Sequence, residues 1–355
     1  MDYRSALYLG LNHARCDLPD WRQLTLGKPA ALEEPALAQR VERELAALQG
    51  FEDAVTGAST LHLSWDFFGL LAASPVQIWI DSGGYAIARW GAERAQFLGA
   101  TVREFRHHDP EHLRHCLLRN SGVRRTVVVT DGFCPTCGTP APLQEYWQAA
   151  TRCGGLLVVD DTQALGILGM RLGRSRPFGE GGGGAIRSER LERKENLVSI
   201  SSLAKGFGAP VAALAGPAAI VSDFRQRSET RVHTSPPSLA SLAAAAASLA
   251  WNRSSGDIAR DRLFRLVARF RQRMIERFGT MPTGGCFPVQ SLRHPDAVSV
   301  HRVLENRGVK ALLLKPRDTH PGIRLSFIIR ADHSASEIDA AVETLASLRE
   351  VPCSA

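Results

Sequence analysis

Short apolar runs alternate with helical patterns through the middle of the chain, and this alternation restricts the fold more than any other feature. The predicted strands are residues 76–80, 102–105, 126–130, 156–159, 197–201 and 218–221. Helical patterns precede or separate them at residues 35–49, 65–73, 86–98, 110–119 and 143–152. Strands and helices at this spacing favour a parallel sheet with helices on both faces. The sequence therefore predicts one large α/β domain over residues 41–254.

The last hundred residues show a different order of elements. A long amphipathic helix is predicted at residues 256–278. Short strands and helices follow at residues 289–292, 297–307, 309–314, 323–329 and 336–349. These elements predict a smaller α+β domain over residues 255–355. Residues 1–40 form an N-terminal segment, which we expect to pack with the small domain or to lie across the large one.

The composition excludes several classes of protein. The chain contains no run of 18 apolar residues free of charge, so no membrane-spanning helix and no membrane partner are expected. Its net charge is +7, but the arginines are scattered among acidic residues, which does not indicate a nucleic-acid partner. Seven cysteines are a sparse and odd set, which disfavours a disulfide scaffold and favours a reducing, cytoplasmic location.

Two charged residues follow predicted strands at the sheet edge where α/β proteins bind ligands. Asp160 comes after four apolar residues, where a carboxylate is costly to bury unless a cation pairs with it. Lys205 is one of five lysines among 43 basic residues, and it lies in an apolar, glycine-flanked segment. Lysine, unlike arginine, loses its proton on burial and can then form a Schiff base. A helix cap at Asp160 and a surface lysine at 205 are the alternatives.

Together these two residues have the functional groups that pyridoxal phosphate chemistry requires. The lysine forms an imine with the cofactor aldehyde, and the carboxylate keeps the pyridine nitrogen protonated so that the ring accepts electrons from the substrate Cα.

Five segments resemble the α-oxoamine synthase family, within fold type I of the pyridoxal phosphate enzymes. The two most specific segments are LVVDDTQALGILG at residues 157–169 and SSLAKGFGAPVAALAG at residues 201–216. The others are TDGFCPTCGTPAPL at 130–143, VREFRHHDPEHL at 102–113 and GIRLSF at 322–327. The resemblance implies an aminotransferase-like fold, with a large domain whose mostly parallel sheet lies between helices and a small C-terminal α+β domain.

The resemblance also implies roles for particular residues. Lys205 carries the cofactor and later acts as the base at Cα, and Asp160 pairs with the pyridinium. Ser202 stands where the family binds the phosphate, and Arg324 where it holds the substrate carboxylate. Asp131 also follows a predicted strand, and its position there indicates a residue that supports the pocket or, as the alternative, a satisfied turn carboxylate.

Two further segments imply a phosphate site shared between subunits. Residues 57–71 fit the segment whose backbone amides hold the phosphate at a helix N-terminus, which points to Ser59 and Thr60. Residues 232–238 fit the loop that reaches the neighbouring subunit's phosphate, which points to Thr234 and Ser235. We therefore expect a homodimer with shared active sites.

Three positions depart from the family pattern. Tyr85 replaces the histidine over the cofactor ring, and Gln163 replaces the histidine near the cofactor phenolic oxygen. Pro135 replaces a serine that contacts substrate. The ring of Tyr85 can still stack and the amide of Gln163 can still donate a hydrogen bond, but neither supplies the proton chemistry of imidazole. We expect a divergent member of the family, which keeps the cofactor and has a changed acyl partner or reaction.

A Cys134-x-x-Cys137 motif lies in the same region. A tight turn lining the cofactor pocket is the favoured interpretation, with thiol chemistry or a metal site as alternatives, because a single motif of this kind is a weak signal. His107, His108, His112 and His115 are interpreted as residues of a strand end and an exposed helix. The sequence therefore predicts no metal site.

The leading prediction is a pyridoxal phosphate-dependent transferase, acting in a specialised biosynthetic pathway. It condenses an amino acid with an acyl thioester, either acyl-CoA or an acyl carrier protein, usually with loss of CO₂. An aminotransferase, a decarboxylase or an aldolase-type lyase on the same scaffold is the first alternative, because the same lysine and aspartate serve all of these reactions. A non-catalytic dimer partner is the second.

Overall fold

The computed structural model describes residues 1–13, 24–120, 125–173, 176–314 and 322–348. Its strands are β1 Asp53–Gly57, β2 Val76–Asp81, β3 Thr101–Phe105, β4 Arg125–Asp131, β5 Phe133–Cys134, β6 Thr139–Pro140, β7 Leu156–Asp160, β8 Leu197–Ser202, β9 Ala212–Gly216, β10 Val289–Arg293, β11 Leu312–Leu314 and β12 Arg324–Ile328. Its helices are α1 Ala36–Gln49, α2 Thr60–Leu71, α3 Ala86–Phe97, α4 Pro110–Arg119, α5 Leu143–Arg152, α6 Gly184–Ser188, α7 Ala218–Arg227, α8 Glu229–His233, α9 Leu239–Trp251, α10 Asp257–Phe278, α11 Ala297–Asn306 and α12 Ala335–Ala346.

A seven-stranded sheet forms the centre of the molecule, in the order β1-β9-β8-β7-β4-β2-β3. Strand β9 is antiparallel to both of its neighbours, and the strands from β8 to β3 pair in parallel. Consecutive side chains of a strand point to opposite faces, so Ile78 and Trp79 enter two different apolar clusters. Helices cover both faces, and the predicted fold class, a mostly parallel α/β sheet sandwiched by helices, is confirmed.

One predicted strand is wrong. Residues 218–221 form the first turn of α7, because Pro217 precedes them with a backbone angle φ of −58° and the helix begins directly after it. The strand in this region is β9, which lies just before the proline. Its sequence AALAG is rich in alanine and has low β-propensity, so a pattern of branched apolar residues does not reveal it. A four-residue apolar run does not distinguish a strand from a buried helical turn.

A second, antiparallel sheet in the order β10-β12-β11 lies in the C-terminal part. The N-terminal segment joins this small sheet through backbone hydrogen bonds. The Tyr3 N–H donates to the Lys310 carbonyl at 2.8 Å, and the Ile328 N–H donates to the Tyr3 carbonyl at 2.9 Å. Residues 4–8 thereby reach from the small sheet toward the end of the large sheet.

The helical backbone continues between the two sheets. A π-helical turn at Asn252–Gly256 connects α9 directly to α10. The predicted boundary between residues 254 and 255 falls inside this turn, and the division into domains stays a prediction. Within the described residues, none of the helices has the length and apolar character needed to cross a membrane.

Candidate active site

A cavity of about 380 Å³ lies at the carboxyl ends of the parallel strands. Strand β4 ends at Asp131 and β7 at Asp160, and these two residues are register partners. The chain after β8 contributes Lys205. We call Asp131, Asp160 and Lys205 the floor of the cavity. The N-terminal segment and the small sheet supply Arg4, Tyr8, Leu312, Leu314 and Ser326, which we call the small-sheet wall.

Lys205 is positioned by a tight turn over residues 203–207. The Leu203 N–H donates to the Val211 carbonyl at 2.8 Å, and the Phe207 N–H donates to the Leu203 carbonyl at 3.0 Å. A Cβ atom at Gly206 would lie 2.3 Å from the Leu165 carbonyl oxygen, so glycine is needed for this close approach. The turn therefore fixes where the Lys205 side chain enters the cavity.

Burial lowers the pKa of Lys205, and the charges of Asp160 and Asp131 oppose this shift. Because an amine must be neutral to attack an aldehyde, a lowered pKa increases the reactive fraction near neutral pH. The side chain is therefore suited to form a Schiff base.

The two carboxyl groups of the floor lie on neighbouring strands. Burial raises the pKa of Asp160, and burial together with the charge of Asp160 raises the pKa of Asp131 well above its usual range. An Asp160 oxygen accepts the Thr162 N–H at 3.0 Å, which orients the carboxyl group. Two such groups at one site favour a further cation between them, and a protonated pyridine nitrogen is a cation of this kind.

Tyr85 and Gln163 lie around the same cavity as Lys205. The ring centre of Tyr85 lies 5.9 Å from the Lys205 Nζ atom, and the Tyr85 N–H donates to Asp131 at 3.1 Å. The side-chain carbonyl of Gln163 accepts the Tyr8 hydroxyl at 2.5 Å. An aromatic ring and an amide thus border the cavity beside the lysine. Pro135 also lines the cavity, in the turn between β5 and β6.

Arg324 lies next to the turn between β5 and β6, which borders the cavity. It is buried on β12, and its guanidinium donates to the Thr136 carbonyl at 2.9 Å. Arg324, Ser326 and Ile328 share one face of the strand by their spacing of two, and the latter two line the cavity. Its proposed contact with a substrate carboxylate stays a prediction.

The residues predicted to hold the phosphate lie at one edge of the sheet. Ser202 at the end of β8 and Gly57 at the end of β1 both pair with Ala212 of β9. Directly after β1, Ser59 caps α2 by accepting the His62 N–H at 3.4 Å, and Thr60 is the first residue of that helix. The N-terminus of α2 therefore presents free amide groups at this edge, which favours an anion.

Thr234 and Ser235 border a small cavity together with Gly57 and His62 of the same chain. They therefore lie beside the N-terminus of α2 in the single chain. The interpretation that they also reach a neighbouring subunit stays a prediction.

Sequence reasoning missed the small-sheet wall entirely. Arg4 and Tyr8 line the cavity although they are separated by about 150 residues or more from Asp160 and Gln163 along the chain. No local motif marks them, because their position depends on how the N-terminal segment joins the small sheet. The only sequence signal is the pair of aromatic residues Tyr3 and Tyr8, both of which are fully buried.

The residues present fit pyridoxal phosphate. The floor offers an amine for the aldehyde and a carboxyl group for the ring nitrogen, an aromatic ring faces the amine, and a helix N-terminus lies at the same sheet edge. A family model described as aminotransferase class I and II matches residues 29–345. The chain is therefore a fold type I enzyme that depends on pyridoxal phosphate.

Two relatives with the same enzyme name narrow the class of pyridoxal phosphate enzyme to which this chain is similar. The 8-amino-7-oxononanoate synthase of Halorhodospira halophila is 30% identical over 327 residues, which is 88% of this chain and 75% of that protein. The enzyme of the same name from Alkalilimnicola ehrlichii is 30% identical over 256 residues, which is 71% of this chain and 62% of that protein.

Solved structures agree in fold. A serine palmitoyltransferase from S. paucimobilis has a TM-score of 0.84 at 17% identity and covers 98% of this chain and 86% of its own. An 8-amino-7-oxononanoate synthase from Francisella tularensis has a TM-score of 0.77 at 18% identity, and the match covers 99% of this chain and 98% of that protein. The chain belongs to the α-oxoamine synthase family, as the sequence resemblance predicted, and it is a pyridoxal phosphate-dependent transferase.

Proposed function

We propose that the protein condenses an amino acid with an acyl thioester, usually with loss of CO₂, as a divergent α-oxoamine synthase. The single observation that carries this proposal is that Lys205 and Asp160 border one cavity at the ends of adjacent strands, with the ring of Tyr85 5.9 Å from the amine. The relatives named as 8-amino-7-oxononanoate synthases support an acyl-transfer reaction.

The residues of the floor bind the cofactor and control protons. When bound, pyridoxal phosphate withdraws electrons from the substrate Cα. Lys205 would hold the cofactor through its amine and would act as the base that removes a proton from the substrate Cα and returns one there. Asp160 holds the proton on the ring nitrogen, which keeps the ring electron-poor. The ring of Tyr85 stacks on the cofactor face and takes the place of the family histidine.

The remaining assigned residues orient the phosphate and the substrate. Ser59, Thr60 and Ser202 bind the phosphate with hydroxyl and amide donors at the N-terminus of α2. Arg324 holds the substrate carboxylate with its planar guanidinium, which suits a bidentate contact. Pro135 would contact the substrate, and the Gln163 amide would donate a hydrogen bond to the cofactor phenolic oxygen.

The chain's changed residues support a changed acyl partner rather than a changed cofactor. Tyr85, Gln163 and Pro135 all line the cavity where the thioester approaches, whereas the amine and the carboxyl group of the floor match the family. Both acyl-CoA and an acyl carrier protein present the same thioester, so the reaction at Cα is the same for either source.

We further propose a cytoplasmic homodimer in which Thr234 and Ser235 serve the partner's phosphate. Apolar aromatic side chains support an interface: Trp65 on α2 is 45% exposed, and Trp90 and Phe97 on α3 are 49% and 90% exposed. The five cysteines among the described residues are free thiols, which supports a reducing compartment.

Absorbance spectra of the purified holoenzyme test the reaction. We expect a cofactor band that changes when an amino acid binds, and CO₂ release and acyl transfer only when an acyl thioester is added from a panel. Conversion of the cofactor to its amine form by the amino acid alone would instead indicate transamination. CO₂ release or carbon–carbon cleavage without a thioester would indicate a decarboxylase or a lyase. The absence of any cofactor band would indicate a non-catalytic partner.

Mixed dimers test the shared site. A Lys205→Ala subunit and a subunit carrying Thr234→Ala with Ser235→Ala should each lose activity alone, and mixing them should restore part of it. Restoration occurs only if the loop of one subunit completes the site of the other. Mixing that restores nothing, with the dimer verified by sedimentation, would contradict shared sites.

A further inference from the structure

Four potential metal ligands meet beside the cavity, outside the proposed catalytic machinery. His107 and His108 follow the end of β3, and Cys134 and Cys137 flank the turn between β5 and β6. The ligand atoms of His107, His108 and Cys137 all lie within 4.8 Å of one another. Cys134 lies next to this group of three, because its Sγ accepts the Cys137 N–H at 3.5 Å.

Two distances within this group match those between neighbouring ligand atoms of a tetrahedral zinc site. The His107 Nε2 atom lies 3.4 Å from the Cys137 Sγ atom, and the His108 Nδ1 atom lies 3.7 Å from it. Zinc–nitrogen bonds of about 2.0–2.1 Å and zinc–sulfur bonds of about 2.3 Å place neighbouring ligand atoms about 3.5 Å apart. His107, His108 and Cys137 thus have the spacing of ligands to one metal ion, and Cys134 is the neighbouring thiol that could complete the set.

A buried carboxylate orients the two histidines. Asp81 is 1% exposed, and one of its oxygens lies 2.6 Å from His107 Nδ1 while the other accepts the His108 N–H at 3.2 Å. This bond leaves His107 Nε2 directed at the thiols. A carboxylate on the far nitrogen of a ligating imidazole is the usual support of a protein metal site. A Cβ at Gly83 would lie 2.3 Å from the His107 ring, so glycine permits the arrangement.

His108 has an unusual backbone conformation. Its φ angle is 53°, in the left-handed region that residues other than glycine rarely adopt. Its ring stacks on that of His107, with ring centres 3.8 Å apart, and among the described residues its buried Nε2 atom has no hydrogen-bond partner. The His108 atom that faces the Cys137 thiol is Nδ1, and backbone strain at a residue of such a group is typical of a functional site.

We infer that His107, His108, Cys134 and Cys137 bind one zinc ion. Two thiolates and two neutral imidazoles balance the charge of the divalent ion, and both thiol protons leave to solvent on binding. Four protein ligands leave no open position, so the ion is structural rather than catalytic.

The ion would hold the turn between β5 and β6 against the end of β3. That turn carries Pro135 and Thr136, which line the cavity, and Thr136 accepts the hydrogen bond from Arg324. Zinc would therefore stabilise one side of the pocket. This site is independent of the reaction proposed above, and its test does not use activity.

Metal analysis of the full-length holoenzyme, purified under reducing conditions and then incubated with zinc sulfate and desalted, tests the inference. We expect one zinc per chain in the wild type, loss of that zinc in Cys137→Ser and His108→Ala, and retention in the matched controls Cys153→Ser and His115→Ala. Cys153 and His115 are both exposed, outside the group of four. Equal zinc in the Cys137→Ser protein, or a wild type without zinc, would overturn the site.

Cobalt titration of the metal-free wild-type protein keeps the test independent of any variant that fails to fold. A thiolate-to-cobalt charge-transfer band with the strong visible absorption of tetrahedral cobalt is expected, and zinc should remove both. A weak octahedral spectrum without the charge-transfer band would overturn the inference. A Cys134–Cys137 disulfide in mass spectra of the reduced preparation would equally overturn it.

Discussion

The floor of the cavity and the small-sheet wall are built in different ways. Asp131, Asp160 and Lys205 follow three adjacent strands of one sheet, and each is fixed by hydrogen bonds within a few residues of its strand end or by a neighbouring strand. The wall combines an N-terminal segment with strands more than 300 residues further along the chain. The residues that hold the cofactor are therefore positioned by contacts close to their own strands, whereas the residues that meet the substrate depend on packing between distant parts of the chain. Changes to Lys205 or Asp160 should nearly abolish the reaction, and changes to the wall should alter which substrate enters.

The largest expected effect is at the floor. Asp160→Asn removes the group that keeps a ring nitrogen protonated, so kcat should fall by roughly 10²–10⁴-fold, the range for loss of a positioned proton partner. Steady-state kinetics with saturating cofactor measure this fall. Asp131→Asn is the matched comparison and should lose much less, because Asp131 accepts the Tyr85 N–H and is not assigned to the ring nitrogen. Equal losses in the two variants would contradict separate roles.

At the wall, Tyr8→Phe should weaken substrate binding more than it weakens cofactor binding. Burial raises the pKa of Tyr8, so its hydroxyl keeps the proton that it donates to Gln163. Loss of this donor leaves a polar atom without its partner, and KM should rise about 10-fold, equivalent to about 1.4 kcal/mol. The cofactor Kd should rise less than KM, because Lys205 and Asp160 are unchanged. Tyr3→Phe is the control, since its hydroxyl donates to the Glu337 carbonyl and Tyr3 does not line the cavity.

Tyr85 contacts the floor, since its N–H donates to Asp131 and its ring centre lies 5.9 Å from Lys205 Nζ, and its replacement should weaken cofactor binding moderately. Tyr85→Ala removes a stacked ring worth about 0.5–1.5 kcal/mol, so the cofactor Kd should rise about 2- to 10-fold. Equilibrium dialysis measures the change, and Tyr85→Phe should bind the cofactor as tightly as the wild type. A loss in Tyr85→Phe as large as that in Tyr85→Ala would show that the hydroxyl, rather than the ring, is what matters.

The smallest expected effect is a shift in pH dependence. Burial lowers the pKa of Lys205, so the rate at which the apoenzyme captures pyridoxal phosphate should rise with pH, with a midpoint below the usual lysine value of about 10.4. Asp131 stabilises the ammonium form, and therefore Asp131→Asn should move the midpoint lower still. Stopped-flow absorbance follows the capture. Asp223→Asn, at an exposed residue of α7, should leave the midpoint unchanged, and an upward shift in Asp131→Asn would contradict the electrostatic account.

The same contrast explains what could be predicted from the sequence. Lys205 and Asp160 are recognisable because a polar residue directly after an apolar strand is a local signal, and the sheet then brings the strand ends together. Tyr8 and Gln163 are 155 residues apart, and no motif in either segment predicts their contact. His107 and Cys137 are 30 residues apart, one after β3 and the other in the turn between β5 and β6, so the lone Cys-x-x-Cys motif favoured a turn over a metal site.

The prediction of a strand at residues 218–221 was wrong for a related reason. Strand β9 is an alanine-rich segment that depends on pairing with β8 and β1, and the apolar run after Pro217 has no such partner and forms helix α7. Pairing along a sheet is a long-range property, and a short window of sequence does not contain it.

Reduction of the holoenzyme with borohydride, followed by peptide mapping, tests the central claim most directly. The account predicts that the cofactor becomes permanently attached to the peptide containing Lys205, with Lys194 and Lys310 unmodified, and that Lys205→Ala eliminates the labelled peptide whereas Lys310→Ala does not. Attachment of the cofactor to another lysine, or recovery of an unmodified Lys205 from protein that shows the cofactor band, would contradict it.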